Sequence, residues 1–373
     1  MHTLRVECVR DAAILESLKD DFSRLANGST MQQLSWLMPW WEAYHETHKL
    51  HVLVAFRGAN VVGIFPLVET TNALTGRTLV FMGSGKACSD NLGLLVEDSE
   101  CEAVAAAFAN WLVLSPGCCR WDHLNLDGIR ENNRAMASFG SSLEALTGTQ
   151  IELKTSPNCW STSLAGGLEV YKSRLTKRAR KIVLEAELGI DSGKGKFEVA
   201  TTRTEALEFT REIERMHQAR WQERGIDGCF TTREFSRFLH GAIYRMWDDF
   251  PKALVTRLRI DGEVAAGAIC FRDQDALAMY LVGMNPDFAR DRPGWMLNTC
   301  CIRHAISLGC DRLDFLRGDE EYKERLGGVP TVQNRWLVSS HRITSQMRNA
   351  AYRAAVGVRD WWSHMSTELP TKS

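Results

Sequence analysis

Leu254-Val255-Thr256-Arg257-Leu258-Arg259-Ile260, Asp261-Gly262-Glu263, Val264-Ala265-Ala266-Gly267-Ala268-Ile269-Cys270-Phe271 is the stretch on which the fold turns. Two apolar, partly β-branched runs flank a short glycine-containing turn, the pattern of an antiparallel hairpin. Downstream, Leu277 to Met284 reads as a third strand. A polar loop follows, then a helix from about Gly294 to Leu308 with Gly309 placed as its C-cap. Arg312 to Leu316 reads as a strand ending near Gly318-Asp319.

The first half of the chain repeats this order. His51 to Arg57 is a strand, 58–60 a turn and Val61 to Val68 the returning strand. Leu79 to Gly83 and Leu92 to Val96 are further strands, Glu100 to Leu114 a helix, and Trp121 to Leu126 a strand. A helix over Asn132 to Leu146 follows. Trp121-Asp122-His123-Leu124-Asn125-Leu126-Asp127-Gly128 parallels the run from Cys310 to Asp319. Matching order, more than matching letters, predicts an internal repeat. The expected class is therefore α/β (α+β): two halves, each a mixed, mostly antiparallel sheet flanked by helices. The expected segments are 1–155, 156–340 and a helical tail over 341–373.

Ahead of the first hairpin, Leu4 to Arg10 alternates like a strand and Asp11 can cap a helix to about Ala26. Ser35 to His45 is a Trp-rich helix (Trp36, Trp40, Trp41) whose rings suit core packing more than stacking on sugars. Between the halves one helix is expected over about Gly167 to Leu188, with Leu168, Tyr171, Leu175, Ile182 and Ala186 on one face and a run of Lys and Arg on the others. Gly189 to Lys196 reads as a mobile loop. A helix over Thr204 to Arg224 starts from a Thr202/Glu205 capping box and puts His217 and Trp221 on one face. Thr231 and Glu234 repeat the capping spacing before a helix to about Trp247.

Composition narrows the function. The chain has 373 residues, 45% hydrophobic and 24% charged, with a formal net charge of -1, so it is globular with no global drive toward nucleic acid or anionic membrane. Its 11 cysteines show no metal-ligand spacing, so no metal is expected and free thiols in a reducing cytoplasm are. The start carries early charges and no long apolar run, and no stretch reaches the length of a membrane helix.

Two stretches can carry chemistry. In the first, a strand ends at Val282-Gly283-Met284, a loop holds Arg290 and Arg292, and a helix begins at Pro293-Gly294. Backbone N–H groups at a helix start, a small residue and two guanidinium groups suit a pyrophosphate. From the loop alone, a plain strand-to-helix turn with solvated arginines is the better reading. The second is Asp314-Phe315-Leu316-Arg317-Gly318-Asp319-Glu320-Glu321-Tyr322-Lys323, where charges crowd a strand's C-terminal end. Asp319 or Glu320 can serve as general base and Tyr322 as proton donor, or the string can be a capped, solvated helix start. Gly83-Ser84-Gly85-Lys86 lacks the full frame of a phosphate loop.

The segment from about Trp160 to Trp336 resembles the acetyltransferase domain of the GNAT-like proteins labelled CelD, associated with bacterial cellulose and exopolysaccharide genes. The pieces that carry the resemblance are Leu175-Thr176-Lys177-Arg178-Ala179-Arg180-Lys181, His217-Gln218-Ala219-Arg220-Trp221, Gly228-Cys229-Phe230, Ala265-Ala266-Gly267-Ala268, Asn285-Pro286-Asp287-Phe288, Pro293-Gly294 and the string from Asp314 to Lys323. The first half resembles the extra half of tandem relatives such as the FemABX peptidyltransferases and looks like a degenerate copy.

The resemblance implies transfer from acetyl-CoA or another acyl-CoA to a small-molecule, amine or glycan acceptor, with no metal. It implies donor binding by the backbone of Val282, Gly283 and Met284, by Arg290, Arg292 and Gly294, and by Lys323. Met296 stands where the family's pyrophosphate loop has its second glycine. Tyr322 would serve the departing sulfur, and Asp319, Glu320 or His217 would take the acceptor's proton. Two rivals remain: a FemABX-like transferase that uses aminoacyl-tRNA, and a non-catalytic binding module. The acceptor and the oligomeric state are not legible.

Overall fold

The computed structural model describes residues 3–26, 29–115, 120–223, 225–249, 251–340, 342 and 345–348. β1 (Leu4–Val9) leads into α1 (Ala12–Ser17), capped by the Asp11 carboxylate, and α2 (Lys19–Ala26). After α3 (Leu34–Tyr44) come β2 (Lys49–Leu50), β3 (Val52–Arg57), β4 (Asn60–Phe65), β5 (Leu67–Asn72), β6 (Gly76–Phe81) and β7 (Leu95–Val96). Then follow α4 (Cys101–Leu114), β8 (His123–Arg130), α5 (Arg134–Thr147), β9 (Glu152–Ser163), α6 (Gly167–Arg174), α7 (Lys177–Asp191), β10 (Gly195–Val199), α8 (Arg203–Glu223) and α9 (Arg233–Arg245). The rest is β11 (Lys252–Ile260), β12 (Glu263–Arg272), β13 (Ala276–Met284), α10 (Pro293–Ser307), β14 (Arg312–Arg317), α11 (Glu321–Arg325) and β15 (Val329–Ser339).

The repeat is present in three dimensions. β11, β12 and β13 form an antiparallel meander, after which α10 crosses over and β14 returns parallel to β13. In the first half α4 makes the same crossover and β8 lies parallel to β6. The halves are stitched edge to edge. β9 follows the first half in sequence but pairs with β14, while β15 ends the second half but pairs with β8 and β9. One sheet of eleven strands results, in the order β10-β11-β12-β13-β14-β9-β15-β8-β6-β5-β2, beside a small sheet β1-β3-β4-β7.

Helix α3 explains how the halves pack. Trp36 and Trp40 are fully buried, and Trp36 meets Phe238, Phe271 and Tyr280 edge-on at 4.8, 5.2 and 5.0 Å. Its indole N–H donates to Ser89 Oγ at 2.8 Å, so the ring's one polar atom is satisfied. The Trp cluster is thus core packing between the halves, as its spacing suggests.

Four local expectations are corrected. The returning strand Val61–Val68 is two strands, because Pro66 lacks an N–H and lies where β4 leaves the small sheet and β5 joins the large one. The helix expected over 167–188 is two: Thr176 caps α7 by accepting the Ala179 N–H and breaks the run. The expected mobile loop 189–196 holds the end of α7 and the start of β10, which pairs with β11. Thr231 does not cap α9; its hydroxyl donates to Gly228 O, and Thr232 stands at the N-cap. The Thr202 cap does form, but Glu205 reaches back to Thr201. The expected helical tail lies largely outside the described residues. Among the described residues no disulfide joins the cysteines, and no helix is long and apolar enough to cross a membrane.

Candidate active site

β13 and β14 are hydrogen-bonded only from Ala276–Arg312 to Ala278–Asp314. Beyond Ala278, β13 keeps its ladder with β12, Val282 opposite Ala268 and Met284 opposite Ala266, but has no ladder partner on its other edge among the described residues. A gap between two parallel strands opens there, with backbone N–H and C=O groups of Met279 to Met284 along one wall. Helix α8 lies across this strand end. A Cβ on Gly283 would stand 2.6 Å from Ile213 O, so only glycine lets the helix backbone approach this closely.

The donor-loop candidates gather at the mouth of this gap. Asn285 caps the short turn 286–291, Arg292 adopts φ 52°, and Pro293 opens the 15-residue α10. Gly294 abuts Met284, whose Sδ lies 2.7 Å from where a Cβ would stand. Arg290 and Arg292 are exposed beside this helix start. Met296 does not enter the loop's concave side. It is buried, and its Cε lies 2.5 Å from a would-be Cβ on Gly195 and 3.0 Å from one on Gly189. Two of the three glycines of the expected mobile loop, Gly189 and Gly195, are the socket for this side chain.

The second candidate stretch folds tightly on itself. The β14 end bulges against β9, and Leu316 takes the left-handed φ of 56°. The Leu316 N–H donates to Asp314 Oδ1 at 2.8 Å. Lys323, expected to meet the cofactor, is turned inward and buried. Its Nζ donates to the carbonyls of Leu316, Arg317 and Gly318 at 3.2, 2.8 and 3.0 Å and pairs with Glu320 at 2.9 Å. It neutralises three carbonyl dipoles at the end of β14 and offers no charge to a phosphate.

Tyr322 is half-buried and meets Phe315 edge-on at 6.1 Å. Burial first, and the Glu320 carboxylate second, push its phenol well above the ordinary range, against the nearby Arg220. Such a phenol stays protonated, so its O–H is available as a donor. Asp319 is exposed but occupied: Oδ1 accepts from Asn158 Nδ2 and Trp160 Nε1, both at 2.9 Å. Partial burial opposes ionisation, but these donors outweigh it and hold the carboxyl below its usual range. Glu320 remains exposed, tethered to Lys323.

His217 is neutral at physiological pH. Burial first, then the Arg220 charge, lowers it from 6.5 to about 4. Its Nε2 accepts the Trp221 indole N–H at 2.9 Å, so the ring's lone pair is engaged and the proton sits on Nδ1, 3.9 Å from Cys229 Sγ.

Two residues carry more than their sequence suggested. Arg220, one turn past His217, has Nη1 4.0 Å from Met284 Sδ and exerts its charge on both His217 and Tyr322. It thus ties the α8 face to the gap. Arg317 joins the halves: Nε lies 2.7 Å from Asp90, Nη1 2.8 Å from Asp127, and its backbone N–H 3.0 Å from Asp90. Only the recurrence of Asp127-Gly128 before Gly318-Asp319 hinted at this.

A crossover unit with splayed parallel strands, present twice and fused through exchanged strands, defines a tandem GNAT-like fold. Residues 176–324 match the family profile described as an acetyltransferase (GNAT) domain. No curated protein matches the chain at a comparable level. Among solved structures, FemX superposes with a TM-score of 0.60 at 12% identity, over 88% of this chain and 96% of its own. The C-terminal domain of a putative lysylphosphatidylglycerol synthetase from Agrobacterium fabrum gives 0.52 at 12%, covering 91% and 97%. A conserved protein of unknown function from Bacteroides thetaiotaomicron gives 0.51 at 11%, covering 90% and 100%. These are likenesses of fold.

Proposed function

We propose that the chain is an acyl-CoA-dependent N- or O-acyltransferase whose working site is the gap between β13 and β14. The observation that carries this is the unpaired edge of β13 beyond Ala278, opening toward the start of α10 within the segment that matches the GNAT profile. The donor's pantetheine lies along Val282, Gly283 and Met284, and its pyrophosphate meets the α10 start at Gly294 with Arg290 and Arg292. No metal takes part.

The acceptor nitrogen or oxygen attacks the thioester carbonyl. A new C–N or C–O bond forms, the C–S bond breaks and CoA leaves as its thiolate. β13 N–H groups stabilise the oxyanion. Tyr322 donates a hydrogen bond to the departing sulfur. Full transfer from its raised phenol is uphill, since a thiol's ordinary pKa is about 8.5. The acceptor's proton goes to Glu320, an exposed carboxylate of this string paired with Lys323. Asp319 holds β9 against the β14 end, Lys323 holds the turn that carries Tyr322, and His217 shapes the α8 wall.

The acceptor is a small amine or glycan of cytoplasmic polysaccharide or cell-envelope synthesis, a reading supported by the resemblance to CelD-labelled proteins. Segment 156–340 is the transferase half, 1–155 a degenerate copy that shapes the acceptor side, and 341–373 an appended tail. Calorimetry with acetyl-CoA tests the reading. Saturable binding that weakens in Arg290→Ala/Arg292→Ala is expected. No binding of acetyl-CoA or longer acyl-CoAs overturns it and favours a FemABX-like aminoacyl transferase, a role in keeping with FemX superposing on 88% of the chain.

A further inference from the structure

A second, separate cavity of about 330 Å³ lies in the seam between the halves. The first half contributes the turn around Thr30 to Gln32, Asn91, Arg130 and Asn133; the second contributes 273–278 and the start of β14. Ala278 is about six residues, roughly 20 Å of strand, from Met284. The cavity is therefore at the other end of β13 from the donor loop.

Its charges are unevenly satisfied. Asp90 is consumed by Arg317. Arg130 donates through Nε to Asn91 Oδ1 at 2.6 Å, and Arg312 reaches the exposed Asp275 at 3.7 Å. Asp314, only 7% exposed, spends Oδ1 on the Leu316 N–H and makes no other hydrogen bond among the described residues. Asp273 accepts from the Thr30 N–H and hydroxyl through Oδ2, both at 3.3 Å, while its Oδ1 is buried without a partner among the described residues. Gln32 Oε1 and Arg312 Nε are likewise buried and unpaired among the described residues. Buried polar atoms are normally bonded to protein or solvent, so this wall has free capacity for a polar ligand. Burial pushes the carboxyls of Asp314 and Asp273 up, the latter to about 6, against the nearby Arg312 charge.

We propose that this cavity binds a small hydroxylated primary amine, its ammonium between Asp314 and Asp273 and its hydroxyls on the neutral wall of Thr30, Gln32, Asn91, Asn133 and Gln274. The volume holds one hexose-sized molecule. The walls come from both halves, so the ligand bridges them. The site does not depend on the acyl donor.

The test is calorimetry on the full chain without CoA, with D-glucosamine against D-glucose, which differ by one ammonium. Glucosamine is expected to bind at least about tenfold more tightly, the effect of one charge-assisted hydrogen bond. Asp314→Asn keeps the Leu316 bond and is expected to abolish the preference; Asp273→Asn, away from the β14 turn, is expected to reduce it and serves should the first variant fail to fold. Absence of glucosamine binding, equal affinity for both sugars, or a preference unchanged in either folded variant overturns the proposal. Acetyl-CoA titrated separately reports on the donor site, so the two readings fail independently.

Discussion

Arg317 Nη1 lies 2.8 Å from Asp127 Oδ2, a contact between residues 190 apart in sequence that fastens the end of β14 to the repeat-related strand β8. The same guanidinium carries Asp90, whose side chain is 1% exposed. Removing one member of a buried pair leaves a charge without compensation and typically costs about 3–5 kcal/mol. Arg317→Met is therefore expected to destabilise the chain by that amount in chemical unfolding. Adding Asp90→Asn is expected to restore a large part of the loss, since the uncompensated charge is then gone. An additive double variant would show that the two residues do not act as a pair.

Lys323 separates a structural role from a cofactor role. With Nζ bonded to three carbonyls, Lys323→Met takes the charged donor away from all three. We expect a stability loss of about 1–3 kcal/mol, a fall in kcat as the Tyr322 turn loosens, and unchanged acetyl-CoA affinity by calorimetry. A selective loss of donor affinity with kcat intact would mean that Lys323 turns outward to the phosphates.

These two lysine and arginine contacts mark where sequence reading stops. The hairpin at Leu254–Phe271 and the crossover through Gly294–Leu308 were legible because apolar residues recur with strand and helix periods. β9 was not. Residues 152–163 are mostly polar with Pro157 among them, and β9 is a strand because β14 and β15 flank it. The same holds for Arg317, whose partners lie 227 and 190 residues away. Tyr322 and the α10 start stand out in the sequence as candidates on their own. The turn that holds Tyr322, with Lys323 facing inward, required the packed β14 end.

Met296 yields a prediction against the motif. Met296→Ala puts a small residue where the GNAT pattern has its second glycine, yet the side chain packs on Gly189 and Gly195. Truncating a buried Met costs about 2–5 kcal/mol. We expect that loss in thermal or chemical unfolding, with acetyl-CoA affinity unaltered. Markedly tighter binding in the variant would show that Met296 obstructs the donor.

His217 sets a pH test with a defined sign. Its folded value is about 4 against 6.5 for the unfolded group, so between those values the unfolded chain binds more protons. Its contribution to stability is full above 6.5 and is lost as pH falls toward 4; His217→Asn is expected to flatten that part of the stability–pH curve. By NMR the imidazole of the wild type should show no titration near 6.5. Because Nε2 already accepts the Trp221 N–H, His217→Asn is also expected to lower kcat by less than about tenfold, below the 10²–10⁴ that a general base supplies. A loss of a hundredfold or more, with the acid limb of the kcat/KM profile abolished, would instead make His217 the base and would require the Trp221 bond to break when the acceptor binds.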